Sequence, residues 1–256
     1  MIGWLPVFKK EMRLYFGSPV AYAVATFFLF VTAFFFVPAF RGFADLSMRA
    51  AMQPQMGGNL NATESILRPL IYNMAVVLLF FIPMVTMRLI AEERRAGNME
   101  LLLTYPLRDG EILLGKFLAA LVLYMLILAL TLFYPATVAW FTRLEWGAVA
   151  TGYLGLLLIG AAFLSVGLFV SSTTENQIVA GFGTFGVLLG LWLLGWFSDT
   201  TQGALRTVVQ QAGIIEHMDS FAKGVLETKD IVYYVSVIGF ALFLALRSLD
   251  SHRWRG

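Results

Sequence analysis

The chain has 256 residues, 59% hydrophobic and 13% charged, with a net charge of +2 and a mean hydropathy of +0.77. Soluble domains run about half apolar and about a quarter charged, so this composition is that of an integral membrane protein with no room for a sizeable soluble domain. The small charge without a basic stripe argues against nucleic acid as a partner, and zero cysteines exclude disulfides, thiol catalysis and Cys-ligated metal.

Residues Trp4 to Phe16 carry Lys9, Lys10, Glu11 and Arg13 among apolar positions, with Leu5, Phe8, Met12, Tyr15 and Phe16 at helical spacing. No small-residue cleavage site follows, so the pattern predicts an interfacial helix over 4–16 rather than a cleavable signal. A bilayer core of about 30 Å needs roughly 20 apolar residues in a helix. Six stretches qualify: Pro19–Phe40, Pro69–Ile90, Ile112–Trp140, Gly147–Val170, Gln177–Phe197 and a short one, Ile231–Leu246, bracketed by Asp230 and Arg247. The short span implies locally thinned lipid or snorkelling ends. Pro83 removes a backbone hydrogen bond and predicts a kink near the end of span two.

Between spans one and two, Pro54, Gly57-Gly58 and Asn59–Asn61 mark a loop within Arg41–Arg68. Asn61-Ala62-Thr63 fits a glycosylation acceptor, a triplet common by chance. After span two, Glu92-Glu93-Arg94-Arg95 cannot stay in the bilayer, so the chain leaves it there. Leu101-Leu102-Leu103-Thr104-Tyr105-Pro106-Leu107 then completes a short amphipathic segment of the kind offered to a soluble partner. Gly110 to Lys116 fits G-x-x-x-x-G-K, but Phe117 stands where a phosphate-binding loop needs Ser or Thr, and Ile112-Leu113-Leu114 begin a membrane helix. Nucleotide is therefore not expected to bind this chain.

Small residues crowd spans four (Gly152, Gly155, Gly160-Ala161-Ala162, Gly167) and five (Gly181, Gly183, Gly186, Gly190, Gly195). Gly186 and Gly190 form a small-xxx-small pair, read as tight packing inside the bundle or, more sharply, as a subunit interface. Ser198–Asp230 repeats apolar residues at roughly helical spacing but is too polar to span; an amphipathic surface loop and a re-entrant pair of short helices both fit.

Lysine and arginine bias sets orientation. A cytoplasmic N-terminus places Lys9, Lys10, Arg13, Arg88, Arg94, Arg95, Arg108, Lys116, Arg247, Arg253 and Arg255 inside, against Arg41, Arg49, Arg68, Arg143, Arg206, Lys223 and Lys229 outside. Both termini are then cytoplasmic. The spans are nearly free of ionisable groups, which counts against an ion-coupled carrier; Arg88, Glu111 and Lys116 lie near the inner edge, where snorkelling suffices. His217 and His252 sit in an outer segment and the C-terminal tail, and His217 with Glu216 and Asp219 reads as a solvated cluster before it reads as a metal site.

Three runs carry a family likeness: Met87–Glu93 followed by Gly97–Pro106, Glu111-Ile112 and Gly115-Lys116; Ser171–Gln177; and Glu216–Val225 with Asp230 and Tyr233-Tyr234. Together they resemble ABC-2 type transporter permeases, in the branch of the gliding-motility permease GldF, with Asn98 standing where that pattern usually has Thr. The resemblance implies a single all-α transmembrane domain over 1–256, in a multi-pass protein of the bacterial inner membrane. Its parts would be six transmembrane helices, an N-terminal interfacial elbow helix (4–16), a cytoplasmic coupling helix (91–107) and outer-leaflet re-entrant helices between spans five and six (198–230). It further implies a non-catalytic permease subunit of an exporter, paired with a second copy or a related permease over a cytoplasmic ABC ATPase dimer that binds ATP and magnesium. This chain would hold no cofactor, and a periplasmic GldG-like protein is a further partner. Carried over, Glu92, Glu93, Gly97, Glu100, Leu101, Leu102, Tyr105 and Pro106 would contact the ATPase, with Gly181, Gly186 and Gly190 at a packing interface. The alternative is a mechanotransmission or scaffold subunit that moves no solute.

Overall fold

A computed structural model describes residues 3–52, 61–95, 97, 108–200 and 211–253, and among them the chain is all helical. Helix α1 (Trp4–Gly17) precedes α2 (Pro19–Met52), the first span. A π-helical turn over Thr63–Leu67 leads into α3 (Arg68–Thr86), then a short α4 (Ala91–Arg95). Span three is α5 (Asp109–Thr131) with α6 (Phe133–Phe141); span four is α7 (Trp146–Thr173); span five is α8 (Gln177–Thr200). A small helix α9 (Glu216–Ala222) precedes span six, α10 (Thr228–Arg253). Six segments are long and apolar enough to cross a membrane.

The helices outrun the apolar windows read from sequence. Span one continues through Arg41, Asp45 and Arg49 to Met52, where a loop was expected, and its 34 residues extend about 51 Å at 1.5 Å per residue. Span six, expected to be short, has 26 residues, about 39 Å, so no thinned lipid is required. Apolar windows report the part of a helix that lipid would cover, whereas backbone hydrogen bonding carries the helix on into water.

Prolines shape two spans. In span three, Pro135 has no N–H to offer the Thr131 carbonyl, and the helix is redirected at Leu132. Tyr153 of span four donates its hydroxyl to that carbonyl at 2.9 Å instead. In span two the expected kink at Pro83 is a full break: α3 stops at Thr86 and residues 87–90 form turns before α4.

Spans two and four make the core, with 72% of each apolar window buried against 17% for spans one and six. Glycines set the distance of approach to span four, as expected. A Cβ at Gly160 would stand 2.3 Å from the Tyr124 ring, whose hydroxyl donates to the Leu156 carbonyl at 2.6 Å. A Cβ at Gly155 would stand 2.7 Å from Phe221 of α9. Gly186 and Gly190 behave differently: nothing lies within 4 Å of either added Cβ, so they stand on an outward face of span five and pack nothing in the bundle.

The end of the bundle away from α1 is stitched by polar contacts. Asp219 takes an ion pair from Arg68 at 2.7 Å, a hydrogen bond from the Tyr72 hydroxyl at 2.7 Å, and an ion pair from Lys223. His217, rather than being solvated, meets Asp230 at 2.7 Å and stacks on Tyr233 with ring centroids 3.9 Å apart. Tyr233 and Tyr234 donate their hydroxyls to the Ala212 and Ile214 carbonyls. No group of acidic and His side chains suited to a metal occurs among the described residues.

Burial disfavours the Asp219 charge, but hydrogen bonds from Lys223, Tyr72 and Arg68 outweigh it and hold the carboxyl below the usual carboxylate range. A depressed folded value contributes stability that is complete above the unfolded pKa of about 3.9 and is lost as pH falls through the folded value. Thermal unfolding of the detergent-solubilised chain is therefore expected to lose stability below about pH 4, with a shallower loss in Asp219→Asn, which is already weakened at neutral pH. An acid limb of equal depth in the two proteins contradicts this assignment.

Candidate functional site

The segment with the highest density of charge in a buried setting lies where α1 meets spans two and three. Helix α1 keeps Leu5, Leu14 and Phe16 outward, as a helix at a membrane surface does, and turns Val7 and Glu11 inward. It can lie close to span three because residue 115 is glycine: a Cβ there would come within 2.8 Å of both the Trp4 carbonyl oxygen and the Val7 Cβ.

One residue on, Lys116 is 1% exposed. Its ammonium has three N–H donors and three oxygens around it: Glu11 Oε1 at 2.7 Å, the Leu89 carbonyl at 2.7 Å and Glu93 Oε2 at 2.8 Å. Glu93 also reaches back to Lys10 of α1 at 2.6 Å. The Leu89 carbonyl lies in the turn that follows the break in span two, and the Ile90 and Ala91 amides of that turn both donate to Ser171 Oγ of span four at 3.2 Å. Side chains of spans three and four thus satisfy backbone groups that the break exposes. A charge this deep needs partners on every donor, and it has them.

These contacts revise the expectation that Lys116 snorkels at the inner edge. Its ammonium is buried, and it binds α1, α4 and span three into one joint. Gly110 to Lys116 lies within the continuous helix α5, so its amides serve the helix and do not curl around a phosphate.

Of the expected ATPase-contacting residues, Glu92 is exposed on α4, whereas Glu93 is drawn inward by Lys10 and Lys116. Gly97 has φ +67°, a left-handed conformation that suits glycine, and its amide returns to the Arg94 carbonyl at 3.0 Å, reversing the chain after α4. Glu100, Leu101, Leu102, Tyr105 and Pro106 lie outside the described residues. Gly181 faces Met87 at 3.5 Å, beside an apolar groove lined by Phe80, Met84, Phe182 and Phe185. The sequence reading missed Glu11 and Ser171 as members of the joint. Their signal was there only as polar residues beside span ends.

Removing one member of a buried ion cluster strands the others and costs about 3–5 kcal/mol. Lys116→Met is expected to lose that much stability, and adding Glu11→Gln with Glu93→Gln to recover a large part of it. Thermal or denaturant unfolding in one detergent measures the cycle. Additive losses across the three substitutions contradict the coupling.

Residues 5–242 match the family model described as ABC-2 family transporter protein. The chain is 34% identical over 128 residues to the "Probable ABC transporter permease protein NosY" of Pseudomonas aeruginosa, covering 44% of this chain and 43% of that protein. It is 32% identical over 152 residues to the protein of the same name from Stutzerimonas stutzeri, covering 56% of this chain and 45% of that protein. The aligned region spans less than half the length of these curated relatives. With nearly its whole length matched by the family model, and with six segments able to cross a bilayer, the chain belongs to the ABC-2 family of transporter proteins.

Proposed function

We propose that this chain is the permease subunit of an ATP-driven exporter in the bacterial inner membrane, with both termini in the cytoplasm. In this reading a separate ABC ATPase dimer binds ATP and magnesium and docks on the 91–107 segment. The observation that carries it is the joint at Lys116. Helix α4, at the start of that segment, is tied through Glu93 to Lys10 of α1 and to Lys116 of span three. A push on α4 is passed to α1 and span three together, while the break after Pro83 lets α3 turn separately. The orientation is supported by Lys9, Arg13, Arg94, Arg95, Arg108 and Arg247, whose positions cluster at the α1 end of the bundle.

A second permease copy, or a related permease, would lie against the face formed by spans two and five. That placement is supported by the apolar groove at Phe80, Met84 and Phe182 and by the open positions of Gly186 and Gly190. One observation favours the second reading, a subunit that transmits motion without moving a solute, as in the GldF branch with a periplasmic GldG-like partner. The groove is lined throughout by Phe80, Pro83, Met84, Met87, Ile178, Gly181, Phe182 and Phe185, a lining that suits a sealed interface better than a polar path.

Charge reversal tests the docking role. Glu93 is unsuitable, because reversing it breaks the joint itself. Glu92→Lys with Glu100→Lys is expected to cut permease-stimulated ATP hydrolysis about tenfold or more, since close charge pairs across an interface govern register and partner choice, while membrane insertion and unfolding temperature stay unchanged. Full stimulation in that double variant rejects the docking assignment.

A further inference from the structure

A cavity of about 390 Å³ lies between α1 and spans one, two and three. Ligand sites run about 300–1,000 Å³, so this one has room for a substantial part of a lipid. Its walls change character along its length. Val24, Phe81, Val85, Leu123 and Ile127 make one part apolar, whereas Lys10, Glu11, Arg88, Glu92, Glu93 and Lys116 gather at the other. Four of those six charges are already committed to one another, as Lys10 and Lys116 are taken by Glu93 and Glu11. Arg88 and Glu92 are exposed at the rim, and neither has an ion-pair partner among the described residues.

A second observation is independent of the cavity's shape. Tyr15 lines the cavity, and its hydroxyl is shut off from water with no hydrogen-bond partner. Buried hydroxyls are nearly always satisfied, so an orphan facing a cavity points to an acceptor that occupies it. Burial, reinforced by the nearby Glu11 charge, pushes the Tyr15 phenol up, which keeps it a donor.

We propose that this cavity is a phospholipid site, holding one acyl chain of a zwitterionic aminophospholipid from the leaflet beside α1. The acyl chain lies along Val24, Phe81 and Leu123, and a glycerol ester carbonyl accepts from the Tyr15 hydroxyl. The phosphate meets Arg88, and the headgroup ammonium meets Glu92. A rim bearing one free cation and one free anion selects a zwitterion over a singly anionic lipid, because a net negative headgroup would face Glu92 without compensation. The lipid also packs against the joint from its open side, with its headgroup beside the start of α4.

The full chain purified in detergent, titrated with phosphatidylethanolamine and read by native mass spectrometry, tests this directly. The wild type is expected to retain one lipid per chain, and to prefer phosphatidylethanolamine to phosphatidylglycerol. Tyr15→Phe and Arg88→Gln each remove one polar contact and are expected to weaken retention about tenfold. Val24→Trp fills the apolar end and is expected to abolish it. The unfolding temperature of each lipid-free variant, measured in parallel, identifies any that fails to fold; Tyr15→Phe, which keeps the ring, is the least disruptive. Retention that is absent in the wild type, indifferent to the headgroup, or unchanged in a folded Tyr15→Phe or Val24→Trp overturns the proposal. Each of these outcomes is independent of ATPase docking, since no nucleotide or partner is present.

Discussion

The ammonium of Lys116 sits among three oxygens drawn from three separate parts of the chain: Glu11 on α1, the Leu89 carbonyl in the turn after span two, and Glu93 on α4. Every neighbouring feature is arranged around that constraint. Residue 115 has to be glycine so that α1 can approach, and the span-two helix has to stop at Thr86 so that the Leu89 carbonyl is free. Ser171 has to take the Ile90 and Ala91 amides that the same break exposes. Buried ion clusters add little net stability over an apolar filling, because desolvation offsets most of the attraction. What this one supplies is register: α1, α4 and the start of span three have a single arrangement in which no charge is stranded.

At the other end of the bundle, Asp219 and Asp230 hold the segment after span five by the same physical means. The middle of the molecule needs no charges. There, glycines of span four bring Tyr124 and Phe221 against the backbone, and shape alone fixes the packing. A bundle with polar stitching at both ends and close apolar packing between can tilt or rotate as a body without exposing charge to lipid. Within that body, the turn after Pro83 is the place where span two can bend, because its backbone groups are already bonded to side chains of neighbouring helices.

The number of spans, their order and the amphipathic start of the chain were legible in the residues, since each depends on local composition and helical period. Pro83 announced a disturbance in span two, although nothing local distinguishes a kink from a full break; the difference lies in Lys116 and Ser171, distant in sequence, which make the break tolerable. Lys116 itself looked like a snorkelling lysine because its partners Glu11 and Glu93 are 105 and 23 residues away. His217 looked solvated for the same reason, its partner Asp230 and its stacking partner Tyr233 lying beyond a turn. Gly186 and Gly190 followed the small-residue pattern seen in span four, but the pattern cannot tell an inward from an outward face. Helix ends were underestimated at Met52 and Arg253 because hydropathy falls at the lipid boundary while hydrogen bonding does not.

The central claim is that α1 and α4 move as one piece when the permease is worked by its ATPase. Paired spin labels at the exposed positions Arg13 and Arg95, compared with a pair at Arg95 and Trp146 at the opposite end of the bundle, measure this in the assembled complex with and without bound nucleotide. A rigid joint predicts an unchanged Arg13–Arg95 distance while the Arg95–Trp146 distance shifts. A change in the first pair, with the second fixed, would show that the joint opens during the cycle and contradict its role as a transmitting element.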